Sequence, residues 1–268
     1  MQSTSPMLEI DGLSRRFGGL LAVDDVSFTV RSSCVHGLIG PNGAGKTTLF
    51  NVISGVLPAT SGSVRLLGER LDAMPTWDRT KRGVARTFQN IRMFSDMSAV
   101  ENVMTGMHGY FRSGILSILS RRGAFRREER TAEERAREQL AFVGLDKFAD
   151  TRAGDLSYGD QRRLEIARAL ASDPKVLLLD EPAAGMNPAE TQALVPLLRR
   201  LRDERGLTLL VVEHDMHLVM AICDQITVIN FGRKIADGTP AKVREHPDVI
   251  EAYLGSSDEM AHTSSEAS

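Results

Sequence analysis

The sequence is short of cysteine, of net charge and of long hydrophobic runs, and each shortage excludes a class of protein. Its two cysteines, Cys34 and Cys223, lack the spacing of metal ligands, so we expect buried thiols in a reducing compartment and no disulfide framework. A formal net charge of −2 argues against a nucleic-acid binder that relies on a large basic surface. No run of about 18 apolar residues occurs, so we expect no membrane-spanning segment.

What remains is the composition of a globular chain. Hydrophobic residues make up 42% and charged residues 25% of the 268 residues, which is enough apolar material for a sizeable core. An α/β fold of this length often forms one unit, and we expect one domain over residues 8–255. Residues 1–6 are polar and show no signal peptide, and residues 1–7 and 256–268 are expected to be disordered ends.

A glycine-rich stretch fits the phosphate-binding loop pattern G-x-x-x-x-G-K-[ST]. The stretch is Gly40-Pro41-Asn42-Gly43-Ala44-Gly45-Lys46-Thr47-Thr48. The glycines let backbone N–H groups turn toward phosphate oxygens, the lysine supplies a cation for the β and γ phosphates, and the hydroxyl of Thr47 can bind Mg²⁺. An apolar strand before the stretch and a helix after it bring the positive end of the helix to the phosphates. We therefore predict a nucleotide phosphate site here.

Polar residues follow two further apolar runs. Val176–Leu179 is followed by Asp180 and Glu181, and Leu207–Val212 is followed by the stretch that contains His214. Continuous apolar runs of this length are typical of strands buried on both faces of a parallel sheet. Because open α/β sheets bind ligands at the carboxyl ends of their strands, we expect these polar residues to converge with the phosphate loop.

The rest of the chain predicts two additions to this core. Apolar and polar residues alternate in Leu8–Ile10, Val26–Val30 and Val64–Leu66, which favours a small antiparallel sheet beside the phosphate loop. From about residue 90 to residue 152 the pattern becomes helical, with a capping box at Ser98–Glu101. The predicted fold class is therefore α/β: a P-loop nucleotide-binding core with a flanking antiparallel β subdomain and an inserted helical subdomain.

The stretch Leu156–Leu170 distinguishes among P-loop proteins. Ser157 and Asp160 have capping-box spacing, so a helix is expected to begin here, and a helix start that carries Ser and Gly favours anion binding. The stretch, LSYGDQRRLEIARAL, resembles the signature motif of ABC-type ATPases and precedes Asp180 by the distance that family shows. The resemblance implies that Ser157 and Gly159 hold the γ-phosphate of an ATP bound to a second subunit.

The resemblance to ABC ATPases implies roles for five further residues. Phe17 lies about where the family stacks an aromatic ring on adenine. Gln89 matches the glutamine that contacts Mg²⁺ and the attacking water and that couples the site to a membrane subunit. Asp180 matches the acid that holds Mg²⁺ through water. Glu181 matches the general base or water-orienting carboxylate, and His214 matches the histidine that contacts the γ-phosphate.

Two positions depart from the common ABC pattern. Tyr158 replaces a glycine of the signature, and Asn187 stands where most members have aspartate. Asn187 is usual, however, in the ATP-binding subunits of branched-chain amino-acid importers, which the chain resembles over residues 8–255. The segments that carry this resemblance are residues 17–23, 86–92, 181–188 and 246–255. Importers of amides or urea share much of this pattern and stay an alternative.

The resemblance implies an ATP-hydrolysing subunit, with ATP and Mg²⁺ as cofactors, held at the cytoplasmic side of the membrane. Its implied partners are integral membrane permease subunits, a second ATP-binding subunit (a copy or a paralogue) and, indirectly, a solute-binding protein; no nucleic acid is expected. Two alternatives stay open: an ABC ATPase acting as a clamp in translation or DNA repair, and a nucleotide-gated binding module without catalysis. A single cassette with a short mixed-charge insertion disfavours the clamp, and Glu181 with His214 disfavours the non-catalytic module.

Overall fold

The computed structural model describes residues 6–107 and 122–253, except the side chains of residues 122–127. The strands in these ranges are β1 (Pro6–Phe17), β2 (Leu20–Arg31), β3 (Val35–Ile39), β4 (Ser61–Leu66), β5 (Glu69–Arg70), β6 (Val84–Arg86), β7 (Val176–Asp180), β8 (Thr208–Val212), β9 (Gln225–Asn230) and β10 (Arg233–Gly238). They form two sheets, one of order β10-β9-β3-β8-β7-β6 and one of order β2-β1-β4-β5.

The six-stranded sheet forms the centre of the fold. Its strands pair in parallel except for β10, which is antiparallel to β9. Every residue of β3, β7 and β8 is buried, as the continuous apolar runs predict. Because β3, β7 and β8 run parallel to one another, the loops that follow them leave the sheet at the same end.

The helices are α1 (Lys46–Ile53), α2 (Thr76–Arg82), α3 (Ala99–Thr105), α4 (Arg122–Phe142), α5 (Tyr158–Leu170), α6 (Pro188–Asp203), α7 (Met216–Ile222) and α8 (Pro240–Arg244). Residues 247–253 are also helical. Two predicted helix starts are confirmed: Ser98 caps α3 through a complete capping box with Glu101, and Ser157 caps α5 by accepting from the Asp160 N–H.

The central sheet separates two hydrophobic cores. Alternate residues of its strands point to opposite faces, so Leu177 and Leu179 join the core formed with α3 to α7. Leu178 and Leu210 join the core formed with α1 and the antiparallel sheet. The α1 helix is therefore held between the two sheets, which positions the loop that precedes it.

The predicted fold class is confirmed, with a change at the N-terminal end. β1 begins at Pro6, so Pro6 and Met7 belong to a strand that pairs with β2 instead of the disordered end expected for residues 1–7. The tail 256–268 lies outside the described residues. Within the described ranges no helix has the length and apolar character needed to cross a bilayer.

Candidate nucleotide-binding site

The phosphate loop lies between the end of β3 and the start of α1. Gly40 has φ 155°, and a Cβ placed on it would lie 2.0 Å from the carbonyl oxygen of Ile229. Gly45 has φ 98°, and a Cβ there would lie 2.4 Å from the carbonyl oxygen of Ala22. No side chain fits at such distances, so both glycines are required for the loop to reach between its neighbours.

Lys46 is folded back onto the loop. Its Nζ donates to the carbonyl oxygens of Gly40, at 2.6 Å, and of Pro41, at 2.8 Å. Burial lowers the pKa of the Lys46 ammonium, and the negative charge of Glu181 acts in the opposite direction. The two carbonyls therefore hold the ammonium group against the phosphate loop.

A cavity of about 480 Å³ opens over this loop. It is lined by Leu20–Ala22, Asn42–Thr48, Glu181, Phe231 and Gly232. Thr47 in the first turn of α1 is exposed, and Thr48 is half-buried. The cavity therefore combines the backbone of a phosphate loop, a helix N-terminus and a carboxylate, which suits a phosphate chain with a reacting end.

Glu181 is the meeting point of three predicted catalytic residues. Gln89 Nε2 donates to Glu181 Oε2 at 2.8 Å, and His214 Nδ1 lies 3.8 Å from Glu181 Oε1. Glu181 has φ 47°, and its N–H donates to the carbonyl of Val212 at 2.9 Å. The convergence expected from the strand ends is confirmed, since residues from β7, β8 and the segment after β6 meet at one carboxylate.

Asp180 is buried at the end of β7. Burial raises the pKa of its carboxyl, and the guanidinium of Arg86 opposes that rise. Arg86 Nη2 donates to Asp180 Oδ2 at 2.7 Å. The sequence suggested no role for Arg86, because its partner Asp180 is 94 positions away along the chain.

Glu213 is a further residue that the sequence did not single out. It is buried and accepts the N–H of Ala183 at 3.0 Å, of His214 at 3.0 Å and of Asp215 at 3.3 Å. Burial raises the pKa of the Glu213 carboxyl, and these donors oppose the rise. Its position directly after a buried strand was a usable signal. The carboxylate joins the loop after β7 to the loop after β8 and so fixes the backbone position of His214.

The signature helix α5 holds the segment before Gln89. Arg162, which is fully buried, donates to the carbonyl of Phe88 at 2.7 Å and to that of Gln89 at 2.8 Å. Glu165 accepts the N–H of Phe88 at 3.2 Å and pairs with Arg162 at 2.8 Å. The pair therefore sets the backbone from which Gln89 reaches Glu181, which the sequence alone did not reveal.

In the described part of the chain, the signature residues Ser157 and Gly159 do not line the cavity over the phosphate loop. Ser157 is exposed, and neither it nor Gly159 is among the residues that line the cavity. A Cβ on Gly159 would lie 2.9 Å from Oε1 of Glu190, so α5 starts in close contact with α6. The helix start at Ser157 is thus formed and lies outside the cavity over this chain's own phosphate loop.

The two departures from the common pattern have structural roles. Asn187 caps α6 by accepting the Glu190 N–H at 3.0 Å, and Glu190 returns the bond to the Asn187 N–H. The ring of Tyr158 lies against Gly185, where a Cβ would come within 3.0 Å of it. An aromatic residue in the signature is therefore accommodated by a glycine in the neighbouring loop.

Phe17 ends β1 with 41% of its surface exposed. The guanidinium of Arg15 lies 4.5 Å from the centre of its ring, and Phe17 is not among the residues that line the cavity. The adenine contact stays a prediction.

The helix of residues 247–253, called the closing helix below, lies beside the phosphate loop. A second cavity of about 480 Å³ is lined by Pro41–Ala44 on one side and by Asp248, Glu251 and Ala252 on the other. Burial raises the pKa of Tyr253 to about 12, and a hydrogen bond with the backbone of Gly40 opposes that rise. The last described helix is thus part of the surroundings of the nucleotide site.

Comparison with known proteins agrees with this geometry. Residues 23–184 match the ABC transporter family, and residues 233–259 match the family described as branched-chain amino acid ATP-binding cassette transporter. The second match includes the closing helix.

Similar proteins cover nearly the whole chain. The branched-chain amino acid transport ATP-binding protein BraF of Pseudomonas aeruginosa is 51% identical, with 93% of this chain and 98% of the relative covered. The corresponding protein LivG of Salmonella typhimurium is 47% identical, with 94% and 99% covered. A solved nucleotide-free ATP-binding cassette from an ABC transporter superposes with a TM-score of 0.81 at 32% identity, covering 92% of this chain and 98% of the other.

Proposed function

Since the chain belongs to the ATP-binding proteins of ABC transporters, we propose that its ATP hydrolysis drives an importer of branched-chain amino acids. The observation that carries the proposal is the meeting of Gln89, Glu181 and His214 beside the phosphate loop. The match of residues 233–259 to a branched-chain amino acid transporter family and the names of two relatives of about half identity support the choice of solute.

Glu181 orients the attacking water or accepts its proton. A carboxylate that lines the phosphate cavity can reach a water in line with the terminal phosphate. Gln89 holds one oxygen of Glu181, at 2.8 Å, and so limits the direction in which the other oxygen points. His214 lies on the second oxygen's side and is 59% exposed, so it is free to turn toward a γ-phosphate.

The residues present fit a nucleotide-bound Mg²⁺. In the described part of the chain no cluster of three or more His, Cys, Asp and Glu side chains could hold a metal by itself. Hard oxygen donors in or beside the cavity include the hydroxyl of Thr47, the carboxylate of Asp180 and the amide oxygen of Gln89. Mg²⁺ is commonly bound by one or two such groups together with substrate phosphates, and its charge would neutralise that of the transferred phosphoryl group.

The active form is a dimer of ATP-binding subunits. Ser157 and Gly159 lie outside the cavity of their own chain, and the formed helix start at Ser157 is suited to an anion. We assign this helix start to the γ-phosphate of the ATP held by the facing subunit, whether a second copy or a paralogue. The phosphate loop would then be half of a complete site.

The permease docks on the groove next to Gln89. This groove has a volume of about 460 Å³, and its lining includes Phe88, Phe94 and Arg168. Phe94 is 53% exposed, so a helix of a membrane subunit has an apolar surface to cover. Docking there would hold the chain at the cytoplasmic side of the membrane. It would also bring the permease into contact with the segment that carries Gln89.

The test is uptake by vesicles reconstituted with this chain, its permease subunits and its solute-binding protein. Leucine, isoleucine and valine uptake that requires internal ATP is the expected result. ATP-dependent uptake of urea or amides with none of branched-chain amino acids would contradict the proposed solute. Co-purification with ribosomes or DNA, and with no membrane complex, would contradict the transport role altogether.

A further inference from the structure

Arg86, at the end of β6, makes several contacts that nucleotide binding and hydrolysis do not by themselves explain. Its Nη2 donates to Asp180 Oδ2 at 2.7 Å, and the side chains of the pair are 10% and 5% exposed. Its Nη1 donates to Asn51 Oδ1 at 2.6 Å and to Ser54 Oγ at 2.8 Å. One guanidinium therefore joins the aspartate of β7 to two residues at the C-terminal end of α1, the helix that begins at the phosphate loop.

Two aromatic rings also contact the guanidinium of Arg86. It lies 4.8 Å from the centre of the Phe50 ring and 5.2 Å from that of Phe88. A planar fork of donors that stacks on aromatic rings while it forms several hydrogen bonds is a property of arginine that lysine does not share. These contacts favour a guanidinium over an ammonium group at this position.

Arg86 reaches Asp180 from outside the nucleotide cavity. Among the described residues it lines the groove with Phe88, and it is not part of the lining of the phosphate cavity. It therefore does not line the nucleotide cavity, and its hydrogen bonds link it to the site through Asp180 and α1. With Oδ2 bonded to Arg86, the other oxygen of Asp180 is the one left to face a ligand of the site.

We propose that Arg86 is a positioning residue, which fixes the Asp180 carboxylate so that its second oxygen serves the Mg²⁺ that accompanies the nucleotide. The inference rests on the proposed role of Asp180. Side chains that orient a metal ligand in this way typically change metal affinity by about 10-fold to 100-fold when they are removed. The nucleotide's own contacts with the phosphate loop are made without Arg86.

The experiment measures the affinity of the purified chain for a fluorescent ATP analogue with Mg²⁺ and with EDTA. The variants are Arg86→Lys and Arg86→Met, with Arg82→Met as matched control, since half-buried Arg82 pairs with Glu69 instead of Asp180; thermal unfolding checks that each variant folds. We expect wild type and Arg82→Met to gain affinity with Mg²⁺. Both Arg86 variants should lose about tenfold of that gain, while their affinity in EDTA stays within about twofold.

A double-variant cycle separates positioning from a purely structural role. In an Asp180→Asn background, Arg86→Lys should have no further effect on the Mg²⁺-dependent gain, because both changes act through one carboxylate. Additive effects, or a gain that Arg86→Lys and Arg86→Met leave unchanged, would overturn the inference. Failure of the wild-type chain to bind nucleotide would instead contradict the proposed function.

Discussion

Replacing His36 with glutamine is expected to reduce the loss of unfolding free energy that occurs as the pH falls below 7. His36 lies in β3, four positions before Gly40, and is 1% exposed. Its ring stacks on Phe28 with centroids 5.4 Å apart, and Nε2 lies 2.9 Å from Thr227 Oγ1. Burial lowers the pKa of His36 from 6.5 to about 4, so the folded chain keeps the imidazole neutral.

The size of the effect follows from that shift. An unfolded chain takes up a proton on this histidine at about pH 6.5, whereas the folded chain does so only near pH 4. The stability that His36 contributes is therefore present above pH 6.5 and is lost as the pH falls through 6.5 toward 4. At about 1.36 kcal/mol for each pKa unit, the loss amounts to about 3 kcal/mol.

The assay is urea unfolding of wild type and His36→Gln at several pH values between 7 and 4. Neighbouring groups titrate as well: burial raises the pKa of Asp237, which acts with the opposite sign, so the two proteins are compared at each pH. The wild type should lose about 3 kcal/mol more than the variant over this window. Exposed His217→Gln should follow the wild type. A difference that does not change with pH would refute the reasoning.

Three further variants test the nucleotide site. Lys46→Ala should weaken ATP binding by about 10-fold to 100-fold in a fluorescence titration, since hydrogen bonds to a charged group contribute about 1.5–3 kcal/mol. Gly40→Ala should abolish measurable ATP binding, because its Cβ would lie 2.0 Å from the Ile229 carbonyl oxygen. Gln89→Ala should lower kcat by about tenfold, with little change in KM, through loss of the hydrogen bond that holds Glu181.

Each of these variants has a matched control. Lys242→Ala removes an exposed lysine, Gly19→Ala adds a methyl group where nothing lies within 4 Å, and Asn90→Ala changes the exposed neighbour of Gln89. Unchanged affinity in Lys46→Ala, normal binding in Gly40→Ala, or equal rates for Gln89→Ala and Asn90→Ala would each count against the assigned contact.

Local patterns were sufficient to predict much of the fold. The buried strands of the central sheet are continuous apolar runs, and the starts of α3 and α5 carry serine caps at the expected residues. Both signals depend on neighbours within a few positions. The convergence of Glu181 with the phosphate loop was also predictable, because parallel strands bring their carboxyl ends to one edge.

The contacts that support the site were not predictable in the same way. Arg86 pairs with a residue 94 positions away, and Arg162 bonds the backbone of Phe88 across 74 positions. Nothing in the residues next to them distinguishes such buried charges from charges on an exposed surface. Short elements such as α2, whose N-cap position is Pro75 and makes no side-chain cap bond, carry too few apolar repeats to be recognised.

Hydrolysis by Glu181→Gln tests the central claim most directly. Glutamine keeps the size of Glu181 and a hydrogen-bonding group but cannot accept the proton of an attacking water. ATP binding and phosphate release are measured on the same preparation, beside wild type. We expect ATP affinity close to wild type with phosphate release reduced by about 10²-fold to 10⁴-fold, the usual contribution of a general base. Near-normal phosphate release would contradict the role of Glu181 in hydrolysis.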